Sequence, residues 1–172
     1  LKKMTLKQSA EYFIEAFSLP LSVEQIIDRL NEMAEEKYQN DVELKPYVFA
    51  YLKKLQAEQV RMGIATAADL RTTKKVLARL GILDCFEFIL TCTEMGCSKE
   101  EPGIFYRAAE IFGARPGETV VFEDALHSIK TAKEAGFIVV GVGDESSKNE
   151  KEEIKRLCHL YIDSFEEMEV QK

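Results

Sequence analysis

No apolar run in this chain approaches the roughly 20 residues that a bilayer-spanning helix needs. A signal-peptide core is absent too, because Leu1-Lys2-Lys3-Met4-Thr5 leads directly into an amphipathic segment. Positive charge is in deficit. The 23 Lys and Arg against 30 Asp and Glu leave a net charge of -7, which argues against nucleic acid and anionic membranes as partners. It does not argue against a phosphorylated small molecule, where local charge decides. Metal-type ligands are sparse, with two His and four Cys. Cys92 and Cys97 bracket Thr-Glu-Met-Gly, a spacing unlike a zinc knuckle, and no second pair exists. Cys85, Cys92, Cys97 and Cys158 are therefore expected as free thiols in a reducing, cytoplasmic compartment. There is no internal repeat and no low-complexity tract. The chain also begins without an initiator Met and enters helical pattern at once, so the expectation is that part of the natural N-terminus is missing.

What remains is 172 residues, 46% hydrophobic and 31% charged, enough for one globular domain with a small appendage. Leu6, Ala10, Phe13, Ile14 and Phe17 share one helical face over residues 5–17, with Thr5 as N-cap. Residues 23–38 repeat the pattern, with Ser22 and Gln25 spaced as a capping box. These two helices read as a hairpin. After Pro46 the character changes. Helices are expected over 47–59, 70–80, 103–112, 128–135 and 151–158, and strands over 60–66, 86–92, 119–122, 138–142 and 160–162. Alternating strand and helix predicts an α/β fold, a parallel sheet covered on both faces.

In a parallel sheet all strand carboxyl ends share one edge, where such folds bind ligands. That edge would collect Thr66, Ser98-Lys99 and Glu123-Asp124. The hydroxyl of Thr66 and the following N–H groups, Ala67 first, can hydrogen-bond an anion, or Thr66 and Asp69 can simply cap a helix. Lys99 can face a phosphate or plain solvent. Glu123 and Asp124, two acids side by side, suggest a bound cation or a shared proton, against helix capping as the plainer reading. Hydroxyl, ammonium and paired carboxylates together suit a phosphoryl group with Mg²⁺.

These strand ends resemble the haloacid dehalogenase (HAD) superfamily of hydrolases, in its β-phosphoglucomutase-like phosphatase subgroup. Gly63-Ile-Ala-Thr66 is similar to the second family motif, Lys99-Glu-Glu-Pro102-Gly-Ile-Phe105 to the third, and Val121-Phe-Glu-Asp124 with Ala132-Lys-Glu-Ala-Gly136 to the fourth. The resemblance implies a Rossmann-like three-layer core over 44–172 and a partial helical cap over 1–43. It implies Thr66 and Lys99 as catalytic groups, Thr66, Ala67 and Lys99 on the phosphate, and Asp124 with Glu123 on Mg²⁺. The implied substrate is a small phosphorylated metabolite such as a sugar phosphate, handled by a monomer. Gly103 and Ala125 depart from the usual Asp and Ser. The larger departure is the first motif, an Asp-x-Asp after an apolar strand near the N-terminus, which occurs nowhere in the chain. In the family its first Asp is the nucleophile and its strand lies mid-sheet. Without it the sheet would hold a gap about twice the ~4.8 Å strand spacing. Two readings stay open: a phosphatase or phosphomutase whose nucleophile lies in a missing segment, or a non-catalytic HAD-like binding or regulatory module. A flavodoxin-like or nucleotide-binding domain is disfavoured, because no glycine-rich phosphate loop follows any strand.

Overall fold

The computed structural model describes residues 6–168. The chain divides into two compact units, which meet in sequence at Val42 and Glu43.

The first unit is a helical hairpin. Helix α1 (Leu6–Phe17) packs on α2 (Val23–Asn40). Ser22 and Gln25 form the expected capping box: the Gln25 N–H donates to Ser22 Oγ at 3.3 Å, and the Ser22 N–H donates to Gln25 Oε1 at 2.8 Å. Thr5, the expected cap of α1, lies outside the described residues. The helices bury Ala10 and Ile26, while Phe17 and Met33 stay exposed.

The second unit is α/β. It runs α3 (Val48–Ala57), β1 (Ile64–Thr66), α4 (Leu70–Arg79), β2 (Ile89–Thr91), α5 (Cys92–Met95), α6 (Gly103–Phe112), β3 (Val120–Glu123), α7 (Leu126–Glu134), β4 (Ile138–Val142), α8 (Lys151–Leu157) and β5 (Leu160–Ile162). Every recorded strand pair is parallel. Helix ends fall where glycine admits a left-handed turn, as at Gly113 (φ 66°) and Gly136 (φ 87°).

Strand β4 shows how two apolar faces form. Val139 faces Ile104, Phe105, Ile129, Ala132 and Ile154 of α6, α7 and α8. Val140 and Val142 face the other way, toward Phe122, Ile162 and Phe165. That second face is closed by a 3₁₀ turn (Phe165–Met168) and by α3, whose buried Tyr51 ring lies 6.0 Å from Phe122 and 5.5 Å from Phe165. Gly141 shares the face of Val139. A Cβ there would stand 2.9 Å from Ile154 Cγ2, so the missing side chain lets α8 lie close.

Two details depart from expectation. Strands β1 and β2 are shorter than the runs 60–66 and 86–92. Their ladder still reaches back to a Glu87 N–H bond to the Met62 carbonyl at 2.8 Å. A short helix, α5, interrupts the loop before Lys99, because the Thr91 hydroxyl accepts the Glu94 N–H and starts a turn. The strands form two sheets, β1-β2 and β3-β4-β5, with no ladder between β1 and β3 among the described residues, in keeping with the gap expected in the sheet.

Candidate functional site

The carboxyl ends of the strands carry the polar residues that the sequence singled out. Thr66 pairs in register with Thr91, and Glu123 with Gly141. Thr66 Oγ1 accepts the Ala68 N–H at 3.0 Å, while Asp69 caps α4 by accepting the Thr72 N–H at 2.9 Å. Capping therefore falls to Asp69. The Thr66 hydroxyl hydrogen is left to donate elsewhere, and Ala67 beside it is exposed.

Lys99 and Glu123 meet. Lys99 Nζ donates to Glu123 Oε2 at 2.7 Å, and the other carboxylate oxygen accepts the N–H groups of Asp124 (3.3 Å) and Ala125 (3.2 Å). Both oxygens of Glu123 are thus engaged by protein donors. Glu123 is buried because β3 ends inside the unit.

Asp124 follows at the start of the loop into α7 and is half-buried. Burial pushes its carboxyl pKa above the usual range, and the neighbouring Glu123 and Asp144 push it the same way. Asp124, Glu123 and Lys99 line one cavity of about 320 Å³ with Lys45, Phe122, Val142 and Phe165. Thr66 and Ala67 are not in its lining.

Lys45 carries no motif in the sequence and is the residue that sequence reasoning missed. It donates to Asp144 Oδ2 at 2.5 Å and to the Gly143 carbonyl at 3.0 Å. With this ammonium and Ser146 as donors, the Asp144 carboxyl is held down to about 2. Its partners lie nearly a hundred residues away, so no local pattern could have marked it.

A divalent cation can be tested against this donor set. Asp124 is a half-buried carboxylate under anionic pressure, and a cation would relieve that pressure. Mg²⁺ is commonly held by one or two carboxylates, with water and phosphate oxygens completing the shell. Asp124 fits that role. Glu123 does not fit as a direct ligand while Lys99 and two amides occupy its oxygens. Among the described residues no three His, Cys, Asp or Glu side chains converge on one point.

The family profile described as haloacid dehalogenase-like hydrolase matches residues 5–136, well over half the chain. The chain belongs to the haloacid dehalogenase-like hydrolase family. A β-phosphoglucomutase of Bacillus subtilis is 35% identical over 101 residues, 59% of this chain and 44% of that protein. A phosphoglycolate phosphatase of Nitrosococcus oceani is 30% identical over 97 residues, 56% of this chain and 43% of that protein. The chain spans about half the length of the curated relatives it matches. A crystal structure of β-phosphoglucomutase from Clostridium difficile superposes with a TM-score of 0.73 at 21% identity, covering 99% of this chain and 76% of that one. That likeness shows a shared HAD-like α/β fold.

Proposed function

We propose that this HAD-like chain carries most of the phosphate site of a Mg²⁺-dependent phosphatase or phosphomutase acting on a small phosphate ester, such as a sugar phosphate. The observation that carries the reading is the cluster of Lys99, Glu123 and Asp124 around one cavity at the carboxyl end of β3. The relatives named for β-phosphoglucomutase and phosphoglycolate phosphatase support the substrate class.

In this reading Lys99 neutralises phosphate charge, and Glu123 acts through it by fixing the ammonium. Thr66 donates its free hydroxyl hydrogen, and Ala67 its N–H, to phosphoryl oxygens. Asp124 holds Mg²⁺, which when bound offsets the negative charge of phosphate and carboxylate as a Lewis acid. Residues 1–43 act as a helical cap that excludes water when the substrate is bound. The nucleophile is an aspartate of an Asp-x-Asp motif, which these 172 residues lack. It attacks phosphorus, the ester oxygen leaves, and water or a second substrate hydroxyl takes the phosphoryl group from the aspartate. The protein works as a monomer in the cytoplasm.

The test is turnover of p-nitrophenyl phosphate and of sugar phosphates with Mg²⁺, in a polypeptide that joins this chain to an Asp-x-Asp strand. Turnover should fall at least a hundredfold in Asp124→Ala and in Lys99→Met. Unchanged turnover in Asp124→Ala would defeat the metal assignment. A non-catalytic HAD-like binding module is the alternative outcome of the same test. It is upheld if the polypeptide shows phosphate and Mg²⁺ binding, by amide shifts at Ala67 and Asp124, with no turnover of any ester.

A further inference from the structure

Cys92 and Cys97 have no zinc-knuckle spacing, and the phosphate site uses neither of them. The fold nevertheless brings them together. Cys92 opens α5, and Gly96 ends it in the left-handed conformation (φ 62°). Two hydrogen bonds close that end. The Cys97 N–H donates to the Cys92 carbonyl at 3.1 Å, and the Gly96 N–H to the Thr93 carbonyl at 3.3 Å. This is the Schellman pattern, in which the residue after the left-handed glycine meets the side chain five positions earlier. The contact that often accompanies it is hydrophobic. Here it joins two thiols.

Cys92 shares a side-chain hydrogen bond with Cys97, and both pack with Ile104 and Phe105 in the core cluster. The other two cysteines have oxygen partners. Cys85 donates to Gln56 Oε1 at 3.9 Å, and Cys158 to the Lys155 carbonyl at 3.8 Å. The turn is fixed at its start as well. Thr91, 1% exposed, accepts the Glu94 N–H at 3.2 Å and donates to Glu94 Oε2 at 2.8 Å. A turn closed at both ends thus holds the two sulfurs as neighbours.

The two thiols differ in reactivity. Burial raises the Cys92 thiol above its ordinary pKa, and Cys97 adds to the rise against the pull of Lys99. The thiolate is the nucleophilic form, so Cys92 is a poor first nucleophile. Cys97 is only partly buried and is the sulfur that solvent reaches.

We propose that Cys92 and Cys97 form a peroxide-reactive pair, in which Cys97 reduces a small hydroperoxide and Cys92 resolves the product as an intramolecular disulfide. First the Cys97 thiolate sulfur attacks one peroxide oxygen. The O–O bond breaks, and the other oxygen leaves with the electron pair and takes up the proton that the thiol gave to solvent. Cys97 is then a sulfenic acid. Next the Cys92 sulfur attacks the Cys97 sulfur. The S–O bond breaks, and hydroxide leaves with the Cys92 proton as water. Two thiols and one hydroperoxide give one disulfide, one alcohol and one water. The resolving thiol spares Cys97 from overoxidation to sulfinic acid. In a reducing compartment such a disulfide is transient, as a sensing bridge is and a structural one is not. It forms on the segment that carries Lys99, two residues beyond Cys97. The inference needs no phosphate, metal or nucleophilic aspartate, so it stands or falls apart from the phosphoryl-transfer reading.

The experiment treats the full chain, reduced and then freed of reductant, with tert-butyl hydroperoxide. Intact mass is expected to fall by two hydrogens, and dithiothreitol to restore it. Cleavage after Glu94 separates the two cysteines, so the fragments should stay joined until they are reduced. The bridge should form at least about tenfold faster in the folded chain than in the chain unfolded by urea, because the turn holds the sulfurs together. Cys92→Ser should take up two oxygens at Cys97 instead, as a sulfinic acid. Cys97→Ser should stay unoxidised at Cys92. If either variant fails to fold, the natural chain decides by the site of its bridge and by the rate comparison. A natural chain that forms no bridge, or that gives sulfinic acid at Cys97 with Cys92 free, overturns the proposal. So does a bridge to Cys85, to Cys158 or to a second copy. Equal rates in the folded and unfolded chains overturn it too, because the thiols would then react as isolated cysteines.

Discussion

Lys99 and Glu123 are 24 residues apart in sequence and 2.7 Å apart in space, and their bond links the loop after the β1-β2 sheet to the last residue of β3. It therefore ties together two sheets that share no recorded ladder. The side chains are 19% and 8% exposed. Removing one partner of a fully buried pair costs ~3–5 kcal/mol, because the other charge is left uncompensated. Water reaches Lys99, so Glu123→Gln should cost about 1–3 kcal/mol. At ~2–4 °C per kcal/mol that lowers Tm by several degrees. Lys99→Met should cost less, because Glu123 keeps two backbone donors. Thermal melts of both variants give the order, and the reverse order would sink the argument.

Asp124 makes the opposite kind of contribution. Its folded pKa is raised, so the native state holds its proton more tightly than the unfolded chain does. The stability it adds is complete below the ordinary Asp pKa of ~3.9 and is lost as pH rises through the raised value. At neutral pH the carboxylate works against folding unless a cation sits on it. Asp124→Asn is expected to raise Tm at pH 7 by about 1–3 °C, with the gain fading below pH ~4. Mg²⁺ should raise the Tm of the natural chain and leave the variant unmoved, since only a ligand that prefers the native state stabilises it. Equal response of both proteins to Mg²⁺ would exclude Asp124 as its ligand.

Asp144 titrates the other way. Lys45 and Ser146 hold its pKa down to about 2. Its contribution is present above the unfolded value of ~3.9 and disappears as pH falls toward 2. The pair is partly exposed, at 42% and 27% of the side chains, so solvent screening keeps its worth to ~1 kcal/mol or less. Lys45→Met should lower Tm slightly at pH 7, by about 1–3 °C. The difference from the natural chain should close between pH 4 and 2. A difference that persists at pH 2 would mean that lost packing of the lysine stem, rather than the ion pair, is responsible.

Much of the α/β order was legible because period and punctuation agree. β4 and β5 fall on their expected residues, and α6 stops at Gly113, which takes the left-handed turn that a helix end favours. The carboxyl-edge argument needs only parallel strands, and they are parallel. Less visible were features fixed by distant partners. Nothing local distinguishes Lys45 from a surface lysine. The acids Glu123 and Asp124 look alike in sequence, yet one points at Lys99 and two amides while the other is left facing carboxylates. Helix α5 depends on a single hydroxyl, that of Thr91, in a run that otherwise reads as strand.

Gly63 is the last such case. It opens Gly63-Ile-Ala-Thr66, and a glycine just before a strand is unremarkable in sequence. In space an added Cβ would lie 2.3 Å from Phe88 Cζ and 2.5 Å from its Cε2. The ring cannot yield freely. It packs 4.9 Å from Phe112, and Arg61 covers Phe112 at 5.2 Å while binding Glu87 and the last carbonyls of α6. Gly63→Ala should therefore cost about 1–3 kcal/mol, as overpacking does. Phe88→Leu alone should also destabilise, by removing ring contacts. Combined, the two changes should cost clearly less than their sum, because the smaller side chain makes room for the new methyl. Denaturant melts of the single and double variants measure that coupling. Strict additivity would mean that the backbone of β1, and not the Phe88 ring, is what excludes a side chain at position 63.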